Sequence, residues 1–83
     1  MDNSLSYGGM LATFFLITYN QEHYVREAIE GAFSQTYQPL EIVISDDCST
    51  DGTFRIIEEM TEKYFGPHKL VVNRNFEIGR AHV

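Results

Sequence analysis

The sequence predicts an α/β fold with a Rossmann-like β-α-β-α-β order and a parallel sheet. Two apolar runs of strand length, at 10–18 and 40–45, are separated by a segment whose apolar residues recur with helical spacing. A second segment of helical spacing leads to a third short apolar run at 69–72. Crossovers between parallel strands are right-handed almost without exception, so this alternation predicts half of a doubly wound sheet.

Size and composition limit the class of protein. The chain has 83 residues, which allows one small domain, and its 43% of hydrophobic residues indicates a globular chain rather than a disordered one. The net charge of -6 argues against a nucleic acid or an anionic membrane as the main partner. Cys48 is the single cysteine, which excludes an internal disulfide and is compatible with a reducing, cytoplasmic compartment.

The amino-terminal segment is expected to lie outside the fold. Residues 1–9 are polar and are expected to form a flexible tail, and the domain is expected to occupy 10–83. The apolar run at 10–17 lacks a preceding basic region, so it does not match a signal peptide. It is also far shorter than the roughly 20 residues that a membrane helix needs. We therefore expect no transmembrane segment.

The first strand and helix are expected to follow one another closely. The strand at 10–18 is almost entirely apolar, which is typical of a strand buried on both faces. Asn20 is expected to cap the next helix, and Glu22 to lie near the positive end of its dipole. The helix is expected to end near 35–36, before Pro39. Its apolar stripe consists of Val25, Ala28, Ile29, Ala32 and Phe33.

The second strand and helix have the same organisation. The strand at 40–45 shows no polar alternation, so it too is expected to be buried on both faces. Either Ser49 or Asp51 is expected to cap the second helix, which Gly66 and Pro67 then end. The apolar face of this helix consists of Phe54, Ile57, Met60 and Tyr64, with Ile56 beside it.

The third strand leaves the predicted sheet incomplete. It is expected at 69–72, with a polar turn at 73–75 and a turn at Gly79 before another helix. Arg74 and Arg80 follow this strand but are expected to be solvated. Two of the strands are apolar enough to need burial on both faces of the sheet, but the chain supplies only two helices to cover them. We therefore expect the chain to be the amino-terminal piece of a larger domain, or to form a homodimer.

Two adjacent carboxylates, Asp46 and Asp47, follow the second strand. In open α/β sheets, ligands bind outside the carboxyl ends of the strands, so both acids are functional candidates from position alone. The structural alternative is that they accept backbone N–H groups and start the next helix. The three histidines lack the spacing of metal ligands, and Cys48 has no histidine beside it. Neither a metal site nor a nucleophile is expected here.

Three motifs point to a known family. They are ITYN at 17–20, FSQTY at 33–37 and EIVISDDCSTDGT at 41–53. In their order and spacing they resemble the family 2 glycosyltransferases of GT-A fold, and the resemblance covers residues 11–79. It implies that the chain contains the amino-terminal, nucleotide-sugar-binding half of that fold.

The resemblance implies a function and assigns residues to it. A sugar would pass from a nucleotide-sugar donor, expected to be UDP-linked, to an acceptor hydroxyl of a saccharide or glycan, with inversion at the anomeric carbon. Thr18 would contact the nucleotide through its backbone, and Tyr19 would lie against the base. Asp47 would accept a hydrogen bond from the base, and Asp46 would support the loop or line the same pocket.

The sequence also departs from the family pattern. Members carry a later acidic motif that holds Mg2+ or Mn2+ on the donor diphosphate, and then a carboxylate that acts as the base. Neither is found in the 83 residues, so no catalytic residue and no metal ligand are expected, and the chain alone is expected to be inactive. The alternatives are a receiver-like module for Mg2+ and phosphoryl chemistry, or a truncated fragment without independent activity.

Overall fold

The computed structural model describes residues 10–76. The expected tail at 1–9 and the expected turn and helix around Gly79 lie outside the described residues. The elements, in chain order, are β1 (Ala12–Thr18), α1 (Val25–Phe33), β2 (Leu40–Asp46), α2 (Thr53–Glu62) and β3 (Lys69–Arg74). The predicted β-α-β-α-β order is therefore confirmed.

The three strands form one parallel sheet in the order β1-β2-β3. The register pairs Thr18 with Asp46 across the first two strands, and Asp46 with Arg74 across the last two. The carboxyl ends of all three strands consequently lie at the same edge of the sheet. The parallel arrangement predicted from the alternation of apolar runs is confirmed.

Both helices pack on the same face of the sheet. Ile42 and Ile44 of β2 are completely buried there, in one cluster with Ile29 of α1 and Ile57 of α2. Right-handed crossovers between strands that follow one another in order place successive helices on one side. Burying each of these side chains stabilises the fold by roughly 1.5 to 3 kcal/mol before conformational entropy is subtracted.

The opposite face of the sheet is open within residues 10–76, which corrects one expectation. Phe14 and Leu16 of β1 pack toward the helices, whereas Phe15 and Ile17 are each 59% exposed. β2 likewise buries one face and half-exposes the other. The expectation that both strands are buried on both faces is therefore wrong for this structure, because the two helices cover one face only.

The helix starts also differ from expectation. α1 has Tyr24 at its cap position and α2 has Gly52, and neither helix has a side-chain cap hydrogen bond. Asn20 is therefore not the cap of α1, and Ser49 is not the cap of α2. Asp51 does accept the N–H of Thr53, the first residue of α2. Neither helix of the described segment is long and apolar enough to cross a membrane.

β3 is two residues longer than predicted. Asn73 and Arg74 belong to the strand, because β2 extends to Asp46 and the parallel pairing continues alongside it. The guanidinium carbon of Arg74 lies 4.5 Å from the ring centre of Phe54 and 5.1 Å from that of Phe76. Arg74 is exposed, as expected, but it lies in the strand and stacks on two aromatic rings, whereas a position in a turn was expected.

Candidate functional site

An open cleft of about 590 Å3 lies where the polypeptide leaves β1 and β2, and its lining residues are Tyr19, Asp47, Cys48 and Thr50. Tyr19 directly follows β1 and is 56% exposed. Asp47 directly follows β2 and is half-buried. Two of the four residues predicted for a nucleotide site thus line one cleft at the carboxyl edge of the sheet.

The other two predicted residues, Thr18 and Asp46, are buried at the last positions of β1 and β2. The Thr18 hydroxyl donates to Asp46 Oδ1 at 2.6 Å. The Thr18 carbonyl oxygen accepts the N–H of Asp47 at 2.9 Å. All four predicted residues are therefore brought together, two of them lining the cleft and two joining the strand ends beside it.

The β2–α2 loop holds the β1–α1 loop through a relay that ends on Asp46. The N–H of Asn20 donates to Ser49 Oγ at 2.8 Å, and that hydroxyl donates to Asp46 Oδ1 at 2.6 Å. The N–H of Ser49 donates to Asp46 Oδ2 at 2.9 Å. Asn20 Oδ1 in turn accepts the N–H of Thr50 at 2.7 Å. The buried carboxylate has a donor on each oxygen, as a buried charge requires.

A second relay of the same kind joins the next residue of the β1–α1 loop, Gln21, to Thr53 at the start of α2. The N–H of Gln21 donates to Thr53 Oγ1 at 2.7 Å, and that hydroxyl donates to Asp51 Oδ1. Glu22 Oε1 accepts the N–H of Gly52 at 2.6 Å. Glu22 therefore lies at the start of α2, on the positive end of that helix, and not on the dipole of α1 as expected.

These contacts change the acidity of Asp51. Desolvation by the surrounding atoms raises the pKa of its carboxyl, but hydrogen bonds lower it by more in sum. The donors are the hydroxyl and N–H of Thr53 and the N–H of Glu22, with a contribution from the backbone of Asp51 itself. The net direction is a pKa below the ordinary value of 3.8.

The backbone adopts the left-handed conformation at Asn20, with a φ of 49°, and at Cys48, with a φ of 58°. Each residue lies two positions beyond the end of its strand, after Thr18 and Asp46 respectively. Such conformations are uncommon away from glycine, and they occur often at binding sites. The Cys48 thiol also donates to the carbonyl oxygen of Phe76 at 3.3 Å.

Asn75 also belongs to this site, although the sequence indicated only a polar turn at its position. Its side-chain Nδ2 donates to Asp47 Oδ1 at 2.8 Å and to Ser45 Oγ at 3.3 Å. Its backbone N–H donates to the carbonyl oxygen of Asp46 at 2.8 Å. The signal that would have found it is its position directly after the third parallel strand, at the same edge of the sheet as Asp47.

The described residues do not by themselves fit Mg2+ or Mn2+. Within residues 10–76, no group of three or more His, Cys, Asp or Glu side chains is arranged to hold a metal ion. Asp46 is buried against Thr18 and Ser49, and one oxygen of Asp47 is bonded to Asn75. These cations need several oxygen ligands, and a receiver-like site would likewise need both acids on one cation.

Comparison with known proteins agrees with this architecture. A family model described as "Glycosyl transferase family 2" matches residues 13–82. The uncharacterized protein Rv1520 of Mycobacterium tuberculosis is 53% identical over 49 residues, which cover 58% of this chain and 14% of Rv1520. The putative glycosyltransferase EpsE of Bacillus subtilis is 41% identical over 56 residues, covering 68% of this chain and 20% of EpsE.

A third relative extends the match along the chain. The chondroitin synthase of Escherichia coli is 34% identical over 74 residues, covering 86% of this chain and 10% of the synthase. The chain thus spans between 10% and 20% of the length of these three relatives. Its three parallel strands and two helices are the amino-terminal, Rossmann-like half of a GT-A fold. With the family model matching all five elements except the first residue of β1, the chain belongs to glycosyl transferase family 2.

Proposed function

We propose that this chain forms the donor-nucleotide part of an inverting glycosyltransferase that takes a UDP-linked sugar. The acceptor, a hydroxyl of a saccharide or glycan, would displace the nucleoside diphosphate from the anomeric carbon. The observation that supports this most directly is that Tyr19 and Asp47 line one cleft at the carboxyl edge of a parallel sheet. That edge is where open α/β sheets bind ligands.

The chemistry of these two side chains suits a uracil base. The exposed ring of Tyr19 offers a flat surface on which a base can stack. At the Asp47 carboxylate, the hydrogen bonds within residues 10–76 involve Oδ1 alone, so Oδ2 remains for a donor on the ligand. The imide N–H of uracil is such a donor, whereas the matching nitrogen of cytosine is an acceptor. A site built around a carboxylate therefore favours uracil.

Thr18 and Asp46 have supporting roles in this proposal. The Thr18 carbonyl oxygen, which accepts the Asp47 N–H, has a second lone pair for a donor on the nucleotide. Asp46 is buried and fixes the loop that carries Asp47 through the two hydrogen bonds from Ser49. Thr18 would contact the nucleotide through its backbone, and Asp46 would only support the loop. Tyr19 and Asp47 are then the side chains that touch the base.

The described residues serve binding rather than chemistry. In the complete enzyme a divalent cation would neutralise charge on the leaving diphosphate. We propose that neither ligands for this cation nor a base for the acceptor comes from residues 10–76, so the 83-residue chain binds the donor and does not transfer the sugar. We also propose a cytoplasmic location, since a reducing compartment keeps the Cys48 thiol in the cleft free.

An amide NMR titration of the 83-residue chain with UDP and CDP tests this proposal. We expect UDP to shift the amides of 18–20 and 45–48, and to bind more tightly than CDP. Asp47→Ala should abolish that preference. Tyr19→Ala should weaken both nucleotides about tenfold, since base stacking on an aromatic ring is worth roughly 1 to 3 kcal/mol, while Tyr19→Phe should not.

Tyr24→Ala is the matched control, because Tyr24 is also exposed but does not line the cleft. It should leave both affinities unchanged. Shifts away from the cleft, or equal binding of UDP and CDP by the unchanged chain, would contradict the proposed site.

A further inference from the structure

Asn75 connects three consecutive residues at the end of β2. Its N–H reaches the carbonyl oxygen of Asp46, and its Nδ2 lies within hydrogen-bonding distance of both Ser45 Oγ and Asp47 Oδ1. A carboxylate only accepts hydrogen bonds, so the amide nitrogen and not the amide oxygen must face Asp47. The two hydrogens of one planar amide are thus divided between Ser45 and Asp47, which fixes the plane of the amide.

This contact restricts the Asp47 carboxylate before any ligand arrives. A carboxylate at a half-exposed position can rotate about its last bond, and either oxygen, or a bound water, can then face the cleft. A hydrogen bond from Nδ2 to Oδ1 at 2.8 Å selects one orientation and directs Oδ2 elsewhere. Fixing an acceptor in advance reduces the side-chain entropy that Asp47 would otherwise lose when the ligand binds.

The donor at Oδ1 is also neutral. The salt bridges within residues 10–76 are Arg26 with Glu59 and Lys69 with Glu41, and neither involves Asp47. Arg74, the cation next to Asn75 in the sequence, stacks on the rings of Phe54 and Phe76. Within the described segment, Asp47 is therefore oriented without being paired to a cation, so that its charge is retained for an N–H donor on the ligand.

We infer that Asn75 is a positioning residue that acts through Asp47 and gives the nucleotide site its selectivity for uracil, whose ring N3 carries a hydrogen, over cytosine, whose N3 is an acceptor. This inference rests on the proposed function. Asn75 does not need to touch the nucleotide, and its contribution is the fixed direction of Asp47 Oδ2.

A double-mutant cycle tests whether Asn75 acts through Asp47. Dissociation constants for UDP and CDP are measured by amide NMR for the unchanged chain, Asn75→Ala, Asp47→Ala and the double variant. We expect Asn75→Ala to reduce the preference for UDP about fivefold, the equivalent of one typical hydrogen bond, and to have no further effect in the Asp47→Ala background.

Asn73→Ala is the matched control, because Asn73 is an exposed asparagine of β3, the strand that Asn75 directly follows, and does not line the cleft. It should leave the preference unchanged. The Asn75→Ala variant keeps the backbone N–H that bonds to Asp46, and its dispersed amide spectrum verifies that it is folded.

A pH profile of Asn75→Asp gives an independent readout, with uridine as the probe because it carries no phosphate that titrates. At about pH 8 two adjacent carboxylates repel each other, so the variant should bind uridine at least tenfold more weakly than the unchanged chain. As the pH falls toward about 5, a proton shared by the pair restores a donor to Asp47, and uridine binding should recover. The unchanged chain should show no such recovery.

The outcomes separate the two proposals. Absence of UDP shifts at the cleft of the unchanged chain removes the proposed function, and this inference with it. If UDP binds with a preference that Asp47→Ala abolishes but Asn75→Ala does not change, the inference about Asn75 is overturned and the proposed function stands. An Asn75→Ala effect that persists in the Asp47→Ala background also overturns it.

Discussion

The hydroxyl of Thr18 donates a 2.6 Å hydrogen bond to the carboxylate of Asp46, and both residues are buried. They are register partners at the last positions of β1 and β2. Side chains therefore join the two strands at the point where their backbone pairing ends. Tyr19 and Asp47 directly follow these residues, so the same contact fixes the backbone positions from which the two cleft side chains extend.

Thr18→Val should destabilise the fold by about 2 to 3 kcal/mol. Valine has nearly the same shape, but it removes one of the three donors to the buried Asp46 carboxylate, and a hydrogen bond to a charged group contributes about 1.5 to 3 kcal/mol. Thr18→Ser keeps the hydroxyl and should lose only about 1 kcal/mol, the cost of a buried methyl group. Unfolding in urea measures both. Equal stability of the two variants would show that the hydrogen bond contributes little.

The secondary structure and the parallel sheet were predictable because they depend on local signals. The buried residues Ile42 and Ile44 lie in an apolar run, and Val25, Ile29 and Ala32 recur with the period of a helix. A right-handed crossover then leaves one arrangement for three strands in order. The open face of β1 was predictable only in part: two helices were too few to cover both faces, but the apolar side chains of Phe15 and Ile17 indicated burial that residues 10–76 do not supply.

The loop contacts were not predictable, because their partners are distant in the sequence. Asn20 and Glu22 have the character of local helix caps, yet each accepts an N–H from a residue thirty positions later, Thr50 and Gly52 respectively. The pairing of the two loops depends on the strand register, which brings the ends of β1 and β2 side by side. A capping argument that considers only neighbouring residues cannot find it.

The candidate site was predictable in part. Asp46 and Asp47 are adjacent in sequence, but successive side chains of a strand point to opposite faces. Asp46 shares the face of Ile42 and Ile44, and it is buried with them, while Asp47 lines the cleft. Asn75 was missed because its contact with Asp47 requires β3 to continue to Arg74.

Asn20→Ala should be less stable than Asn20→Gly by about 0.5 to 1 kcal/mol. Both variants lose the oxygen that accepts the N–H of Thr50, but only alanine is strained at a φ of 49°. Asn20→Asp keeps an acceptor and should lie closest to the unchanged chain. Midpoints of urea unfolding rank the three variants. An alanine variant that is at least as stable as the glycine variant would contradict a left-handed backbone at this position.

Asp51 should contribute to stability above its ordinary pKa and lose that contribution in acid. Its folded pKa lies below the ordinary value of 3.8, so the folded state binds the proton less tightly than the unfolded chain does. The contribution is therefore complete above about pH 5 and disappears as the pH falls through the lowered value. Thermal unfolding of the unchanged chain and Asp51→Asn should differ by a constant amount from about pH 7 to pH 5.

That difference should shrink below about pH 4, where Asp51 becomes protonated first in the unfolded chain and then, at lower pH, in the folded chain. Glu58→Gln is the control, because Glu58 is exposed on α2 and its side chain forms no hydrogen bond with any of residues 10–76. A gap between the unchanged chain and Asp51→Asn that widens toward acid would reverse the predicted sign.

His68→Gln should destabilise the fold less than His68→Asn. We expect the two variants to differ in free energy of unfolding by about 1 to 2 kcal/mol. His68 is buried, and its Nε2 lies 2.6 Å from the carbonyl oxygen of Gln35, which follows α1. A carbonyl only accepts, so Nε2 must carry a hydrogen, and the amide nitrogen of glutamine can replace that donor. The shorter asparagine places its nitrogen near Nδ1, an atom that is buried and has no partner within the described segment.

The two variants separate the hydrogen bond from the loss of the ring, because both remove the imidazole and only one keeps a donor within reach of Gln35. Urea unfolding gives the difference in stability, and the amide shift of Thr36, the residue after the acceptor carbonyl, reports on the contact itself. We expect that shift to remain near its original value in His68→Gln and to move in His68→Asn. If asparagine preserves both the shift and the stability, the position of His68 is set by packing and not by the bond to Gln35.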